Sequence, residues 1–494
     1  MWDGVSMTQE YQLLINGEKV ATEEHIAVKN PADVREVVGV IPKATRNHLD
    51  AAVDAALSAF ESSWSTRSAS RTRGRVMLKA VELIKNDLDN LSKLYTMEQG
   101  KPFRESRSEI ESFLNTAEFF AGYGGKIYGA ENIANLSDTE ELWTIDRPEP
   151  LGVVVAITPW NFELSLLGWK LAPALICGNT VVVKPSSSTP LTTLRVIEHF
   201  YNAGLPKGVI NVITGNSSEI GDHLISHPKV RKVMFTGSTE VGKHVYQTAA
   251  CDIRAITLEL GGSDPTIVCD DANLVDAAQA IVEKGRFRNC GQSCTSVKRL
   301  YVFENVADKF VKLLQEFASK IKVGNGLDPN VTMGPLHNED QRKSVEYLVG
   351  DALQNHAAKL LLGGKRSQGS EFEHGYFFEP TILTDIKGDA EIWKQECFGP
   401  ALPIAVVESL DEGIERANNT NFGLGSCIWT TNLERAYVFA NRIESGIVWV
   451  NSPPLSVPET SFGGVKESGI GRELGQRAIT ENMEPKSVRI RFTK

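Results

Sequence analysis

Between Gly152 and Leu260, apolar runs of strand length alternate with segments of helical spacing, and this alternation constrains the fold more than any other feature. Val153 to Ile157 is apolar throughout and stops at Thr158-Pro159. Leu164 to Leu175 follows with helical spacing, then Thr180 to Val183, which is ended by Lys184-Pro185. Thr192 to Asn202, Val209 to Val212, Ile220 to Ser226, Lys232 to Phe235, a helix from Thr239 to about Ala250, and Ala255 to Leu260 complete the series. Strands with no polar alternation are buried on both faces, and strand–helix–strand order makes neighbours parallel, with helices on both sides. Ligands of such sheets bind beyond the carboxyl ends of the strands, where Thr158, Lys184, Gly237 and Gly261 fall.

A second cycle begins near Leu274. Its predicted helices are Leu274 to Lys284, Val306 to Lys320, Asp340 to Asn355 and Leu410 to Asn418. Its strands are Leu300 to Phe303, Lys359 to Leu362, Thr381 to Leu383, Ala401 to Val407 and Gly446 to Val450, a second α/β unit. Before the first cycle, Tyr11 to Ile15 and Ala27 to Val40 read as short strands. Helical spacing then fills Leu49 to Phe60, Val76 to Lys85, Leu88 to Glu98 and Glu109 to Tyr123. Leu142 to Ile145 reads as a strand closed by Pro148 and Pro150. The tail, Ser487 to Thr493, alternates Val488, Ile490 and Phe492 with arginines, a half-buried strand that pairs with its own chain or another.

A chain of 494 residues calls for two to four domains. A net charge of -10 with no long basic run argues against nucleic acid as the main partner. The seven cysteines are an odd, scattered set without metal-ligand spacing, so free thiols in a reducing compartment and no metal are expected. Met1 to Glu10 lacks the pattern of a signal peptide, and no apolar run is long enough to span a bilayer; a cytoplasmic protein is the expectation.

Four stretches carry candidate chemistry. Phe287-Arg288-Asn289-Cys290-Gly291-Gln292-Ser293-Cys294-Thr295 sets Cys294 among small and polar residues, as a nucleophile or a buried small hydrophobe. Glu259 closes an apolar strand just before Gly261-Gly262, as a base or a plain strand-end acid. Asn161, on the turn after the Val153 strand, is a turn former or, beside a thiol nucleophile, an oxyanion donor. Thr236 to Lys243 matches G-x-x-x-x-G-K, but His244 replaces the Ser or Thr that would hold magnesium. What remains there is a strand, a glycine and a helix start able to meet a pyrophosphate. No strict G-x-G-x-x-G occurs; Gly469-Ile470-Gly471 has Leu474 at the last glycine position. Lys184 is either a solvated strand end or a ribose or phosphate ligand.

Together these stretches resemble the aldehyde dehydrogenase superfamily over nearly the whole chain. The matching runs are Thr158 to Phe162, Lys184-Pro185-Ser186, Phe235 to Gly242, Glu259 to Gly262, Gly291 to Cys294, Glu396 to Pro400, and Phe462 to Gly464 with Gly469 to Gly475. The resemblance implies two doubly wound parallel-sheet domains with a small β oligomerisation domain. The cofactor domain would be 1–127 and 151–258, the catalytic domain 259–470, and the oligomerisation domain 128–150 with 471–494. It implies Cys294 as nucleophile, Glu259 as base, and Asn161 with the Cys294 N–H as oxyanion hole. Cofactor contacts would be Thr158, Trp160, Lys184, Ser186, Ser187, Gly237, Ser238, Val241, Glu396 and Phe398. Lys170 and Glu473 match positions that relay protons in some relatives. A homo-oligomer, dimer or tetramer, is expected, with a small aldehyde as substrate.

Two departures from the family pattern carry information. Members that prefer NAD often carry a glutamate where this chain has Ser187; without that carboxylate, NADP is expected alongside NAD and is the candidate for preference. Arg288 stands where succinate-semialdehyde dehydrogenases bind the substrate carboxylate, yet their other arginine is replaced by Trp169. Trp169 and Phe462 resemble relatives acting on apolar aliphatic or aromatic aldehydes, and hydroxyaldehydes also fit. A coenzyme A-acylating dehydrogenase is the alternative, and Glu259 counts against it, because a water-activating base would waste the thioester. A cysteine hydrolase has no histidine near Cys294 in sequence. Cys290 is a buried bystander or a disulfide partner of Cys294 under oxidation.

Overall fold

A computed structural model describes residues 9–127, 131–133, 142–387 and 390–491. The readings made for Met1 to Thr8, for Tyr128, and for Phe492 and Thr493 lie outside these residues.

The first αβ series folds into an eight-stranded sheet. From one edge its order is Gly469–Ile470, Ala255–Glu259, Val230–Thr236, Val153–Ile157, Thr180–Lys184, Ile210–Val212, Leu13–Ile15 and Glu18–Val20. The five strands from Ala255–Glu259 to Ile210–Val212 are parallel, and the outer ones are antiparallel. The unbroken apolar runs have a direct cause. Val154, Ala156, Val181 and Val183 enter one core, while Val153, Val155, Val182 and Val233 enter another on the opposite face. At roughly 1.5–3 kcal/mol per large aliphatic side chain, burial on both faces favours this arrangement over any that exposes one.

The second cycle forms a seven-stranded sheet, ordered Lys359–Leu362, Thr381–Thr384, Ala401–Val407, Arg299–Phe303, Pro265–Val268, Gly425–Trp429 and Ile447–Val450. It too is parallel except for its first strand. Val268, Leu300 and Val302 face one core, and Ile267, Tyr301 and Phe303 the other. Two of its inner strands, Pro265–Val268 and Gly425–Trp429, were not anticipated. The first is only four residues long and opens with proline, and the second is broken in pattern by Gly425 and Ser426.

A three-stranded sheet joins Glu131–Ile133, Leu142–Pro150 and Met483–Arg491. Its central strand does not close at Pro148 but runs to Pro150, with Pro148 opposite Pro485. Glu131 pairs with Asp146, so beyond that point the strand has a partner on one side only, an edge position where proline is tolerated. Among the described residues no helix is long and apolar enough to cross a membrane, and no group of three or more His, Cys, Asp or Glu could hold a metal ion.

Candidate active site

The turns beyond the carboxyl ends of the first sheet meet the loops that enter the amino ends of the second sheet's strands, and Cys294 lies in one of these loops, just before Arg299–Phe303. The Leu274–Ala280 helix continues as a π turn over Ile281–Arg286, and a short turn over Arg288–Gly291 follows. Asn289, Cys290 and Gly291 are all left-handed, with φ of 50°, 56° and 72°. Strain of about 1–3 kcal/mol at a residue such as Cys290 persists only where the surroundings hold it. Here they do. The Asn289 N–H donates to Glu105 Oε2 at 2.8 Å, Gln292 Nε2 donates to the Asn289 carbonyl at 2.9 Å, and Gln292 Oε1 accepts from the His337 N–H at 2.8 Å. Any side chain at Gly291 would meet the Gly399 carbonyl at 2.2 Å. Cys290 is fully buried and Cys294 half-buried, and both are free thiols.

The Asn161 turn is bolted to this loop. Asn161 Nδ2 donates to the Gln292 carbonyl at 3.1 Å, and the Asn161 carbonyl accepts from Asn289 Nδ2 at 3.0 Å and Lys101 Nζ at 2.7 Å. Lys101 is paired in turn with buried Glu109, whose Oε1 also accepts from Leu164 N at 3.0 Å and from the Tyr95 hydroxyl at 2.7 Å. That carboxylate therefore anchors the start of the Glu163–Cys177 helix directly after the turn. One Asn161 amide hydrogen and the Cys294 N–H have no acceptor among the described residues. Two such donors on adjoining turns are what a developing oxyanion requires.

Glu259 is 1% exposed, and neither carboxylate oxygen has a hydrogen-bond partner. Burial first, and Glu473 second, push its pKa well above the carboxylate range, while Lys170 opposes them. Lys170 Nζ bonds Thr236 Oγ1 at 2.6 Å and Glu473 Oε1 at 2.8 Å, so the two relay candidates form a buried pair beside the base. Burial also pushes the Cys294 thiol far up, and Glu259 adds to this; the thiol and carboxyl are electrostatically coupled.

Several of the expected cofactor residues sit at or just beyond strand ends of the first sheet. Lys184 is 2% exposed, and its Nζ has no acceptor among the described residues; burial lowers its pKa to about 8, opposed by Glu163. An unpartnered buried cation at a strand end fits a ribose or phosphate. Beyond Gly237, Ser238 caps the Thr239–Ala250 helix, accepting from Val241 N at 3.4 Å, and Val241 is exposed at the helix start. Glu396 accepts from Gly262 N at 3.2 Å, and its Oε2 would lie 2.4 Å from any Cβ at Gly261. Phe398 stands edge-on to Trp160, with centroids 5.6 Å apart. These features suit a dinucleotide lying across the strand ends.

Three hydroxyls among the expected contacts are engaged within the protein. Thr158 Oγ1 donates to Glu163 Oε1 at 3.0 Å, Ser186 Oγ lies 3.0 Å from Ser188 Oγ, and Ser187 Oγ donates to the Gly215 carbonyl at 2.7 Å. To donate to a 2′-phosphate, Ser187 must turn away from Gly215. Sequence reasoning missed several participants: Lys101, Glu109, Glu163, Lys298 and His337. His337 stacks on Trp160 with centroids 4.5 Å apart, and burial lowers its pKa to about 4, so the ring is neutral at pH 7. These residues come from distant parts of the chain and match no local motif.

A cavity of about 380 Å³ opens beside Cys294. Trp169, Phe462 and Leu474 form its apolar side, with the Trp169 and Phe462 rings 4.6 Å apart. Arg288 lines the same cavity, its guanidinium carbon 5.1 Å from the Phe162 ring centroid. It makes no ion pair within 4.0 Å among the described residues, but its charge acts on buried Glu105, whose carboxyl pKa burial raises and Arg288 lowers.

A half-buried thiol, a buried carboxyl without a partner and helix and strand ends suited to a dinucleotide are the chemistry of a cofactor-dependent oxidoreductase. The family model described as "Aldehyde dehydrogenase family" matches residues 19–488, and the chain belongs to that family. It is 39% identical over 477 residues to the succinate-semialdehyde dehydrogenase [NADP(+)] of Escherichia coli (strain K12), covering 96% of each chain. It is 40% identical to retinaldehyde dehydrogenase 3 of Rattus norvegicus over 470 residues, 94% of this chain and 90% of that one. A betaine aldehyde dehydrogenase of Staphylococcus aureus, solved with NAD+, superposes with a TM-score of 0.93 at 36% identity, covering 97% of this chain and 94% of that one. The protein is an aldehyde dehydrogenase.

Proposed function

We propose that the protein oxidises a short aldehyde carrying a carboxylate at its far end, a semialdehyde, to the dicarboxylic acid. The observation that carries this is Arg288, a guanidinium with no ion pair among the described residues, in the wall of the cavity that Cys294 borders. A cation there would fix a carboxylate while leaving the aldehyde against the thiol. The relative from Escherichia coli named for succinate semialdehyde is in keeping with this. The facing rings of Trp169 and Phe462 favour a second reading, a neutral aliphatic or aromatic aldehyde.

In the reaction Cys294 attacks the aldehyde carbon, and Asn161 Nδ2 with the Cys294 N–H holds the oxyanion of the thiohemiacetal. The nicotinamide, when bound, supplies the hydride acceptor. Lys184, Ser238 and Glu396 would hold its dinucleotide, by ribose, pyrophosphate and nicotinamide ribose respectively, and Phe398 would pack near the ring. A thioester is left on Cys294, and Glu259 deprotonates the water that hydrolyses it. Lys170 and Glu473 would pass the proton from Glu259 towards solvent. We assign cofactor binding to 1–127 and 151–258, catalysis to 259–470, and oligomerisation of a dimer or tetramer to 128–150 with 471–494.

The test is Arg288→Ala assayed against succinate semialdehyde and a neutral aldehyde of similar length. Loss of an interaction with a charged group, about 2–5 kcal/mol when it is buried, should lower kcat/KM at least tenfold for the semialdehyde and little for the neutral one. Equal loss on both substrates removes Arg288 from recognition and leaves the neutral-aldehyde reading.

A further inference from the structure

Two buried cations join the loop that carries Cys294 to the loop that carries Glu396. Arg286, with no exposure, donates to Ser296 Oγ at 2.9 Å, to the Cys397 carbonyl at 3.0 Å and to the Gly399 carbonyl. All three acceptors are neutral, so Arg286 acts as a backbone clamp. Lys298 is placed differently. Its side chain is 1% exposed, and its Nζ donates to the carbonyl of Cys294 itself at 2.6 Å while lying 2.8 Å from Glu396 Oε1. Its own N–H donates to the Asp264 carbonyl at 3.0 Å, which fixes the residue on the strand side of the crevice.

We propose that Lys298 is a positioning residue that sets the reactivity of Cys294, one buried ammonium being shared between the backbone carbonyl of Cys294 and the Glu396 carboxylate. The proposal rests on Cys294 as nucleophile. The charged groups that act on the thiol are Glu259 on the first sheet, Asp264 on the second, Glu396 on the cofactor-side loop, and Lys298. Burial and the three carboxyls raise the thiol pKa, whereas Lys298 lowers it. Glu396 therefore draws on the charge that favours the thiolate. Each partner should shift thiol reactivity in the opposite direction, a signature that mere support of the loop would not produce.

The test is the rate of alkylation of Cys294 by iodoacetamide in the enzyme without cofactor, read by peptide mass mapping. Exposed Cys251 serves as the reference thiol in the same sample. Lys298→Met should slow Cys294 relative to Cys251 by about tenfold, the equivalent of one pK unit. Lys298→Arg, which keeps the charge, should retain most of the rate. Glu396→Gln should accelerate alkylation several-fold, by roughly half a pK unit, and by less in the Lys298→Met background, where only the direct repulsion between Glu396 and the thiolate remains. A slower or unchanged Glu396→Gln, or a double variant equal to the product of the singles, overturns the proposal. If Lys298→Met does not fold, the same comparison is made with Lys298→Gln. Full activity in Cys294→Ala would instead overturn the nucleophile assignment, whatever the Lys298 variants do.

Discussion

The two banks of the crevice are built on opposite plans. On the first sheet two groups at the strand ends lack partners among the described residues: Lys184 Nζ has no acceptor, and Glu259 has no donor on either oxygen. On the second-sheet side the loop around the thiol is tied. The Cys294 carbonyl is held by Lys298, Glu396 by Lys298 and Gly262, and the left-handed turn before the thiol by Glu105, Gln292 and His337. A buried polar group without a partner is costly, so it is retained where a ligand or a reacting proton completes it. A group with a full set of partners holds a geometry. The contrast separates residues that should alter chemistry and binding from those that position them.

The strongest break comes at the point where both banks meet. Cys294→Ala should lower turnover by ~10³-fold or more while leaving cofactor binding intact, measured by steady-state kinetics and by cofactor titration. Glu259→Gln should slow turnover about 10²-fold or more but still release a stoichiometric burst of reduced cofactor, seen by stopped flow. Unchanged steady-state rates would remove Glu259 from the mechanism. Because its carboxyl titrates above the usual range, the hydrolytic limb of the wild-type profile should rise with pH through values higher than an ordinary glutamate gives, and this limb should vanish in Glu259→Gln.

Cofactor choice tests the open side of the first sheet. Ser187→Glu should cut the NADP to NAD ratio of kcat/KM on the order of 100-fold, since a carboxylate facing a 2′-phosphate costs several kcal/mol. An unchanged ratio would show that Ser187 plays no part in the preference. The smallest effect is expected at Lys184. With its pKa lowered to about 8, it is charged below that value and neutral above it, so the KM for NADP should rise severalfold as the pH passes about 8. In Lys184→Met the KM should be higher throughout and flat across that range.

The sequence alone determined most of the first sheet, because runs such as Val153 to Ile157 must bury both faces and only a helix-covered parallel sheet allows it. It also determined the chemical types at the strand ends, because Cys294, Glu259, Asn161 and Lys184 each sit in a short local motif. Short elements were less legible: Pro265–Val268 and Gly425–Trp429 are too brief or too mixed to declare themselves, and the strand through Pro148 is permitted only by its one-sided pairing. What only the tertiary structure decided is which groups have partners. Ser187 is committed to Gly215, Thr158 to Glu163, Lys298 to Cys294 and Glu396, while Lys184 and Glu259 are left open. Partnership depends on distances between residues far apart in the chain, and a local pattern holds no information about those distances.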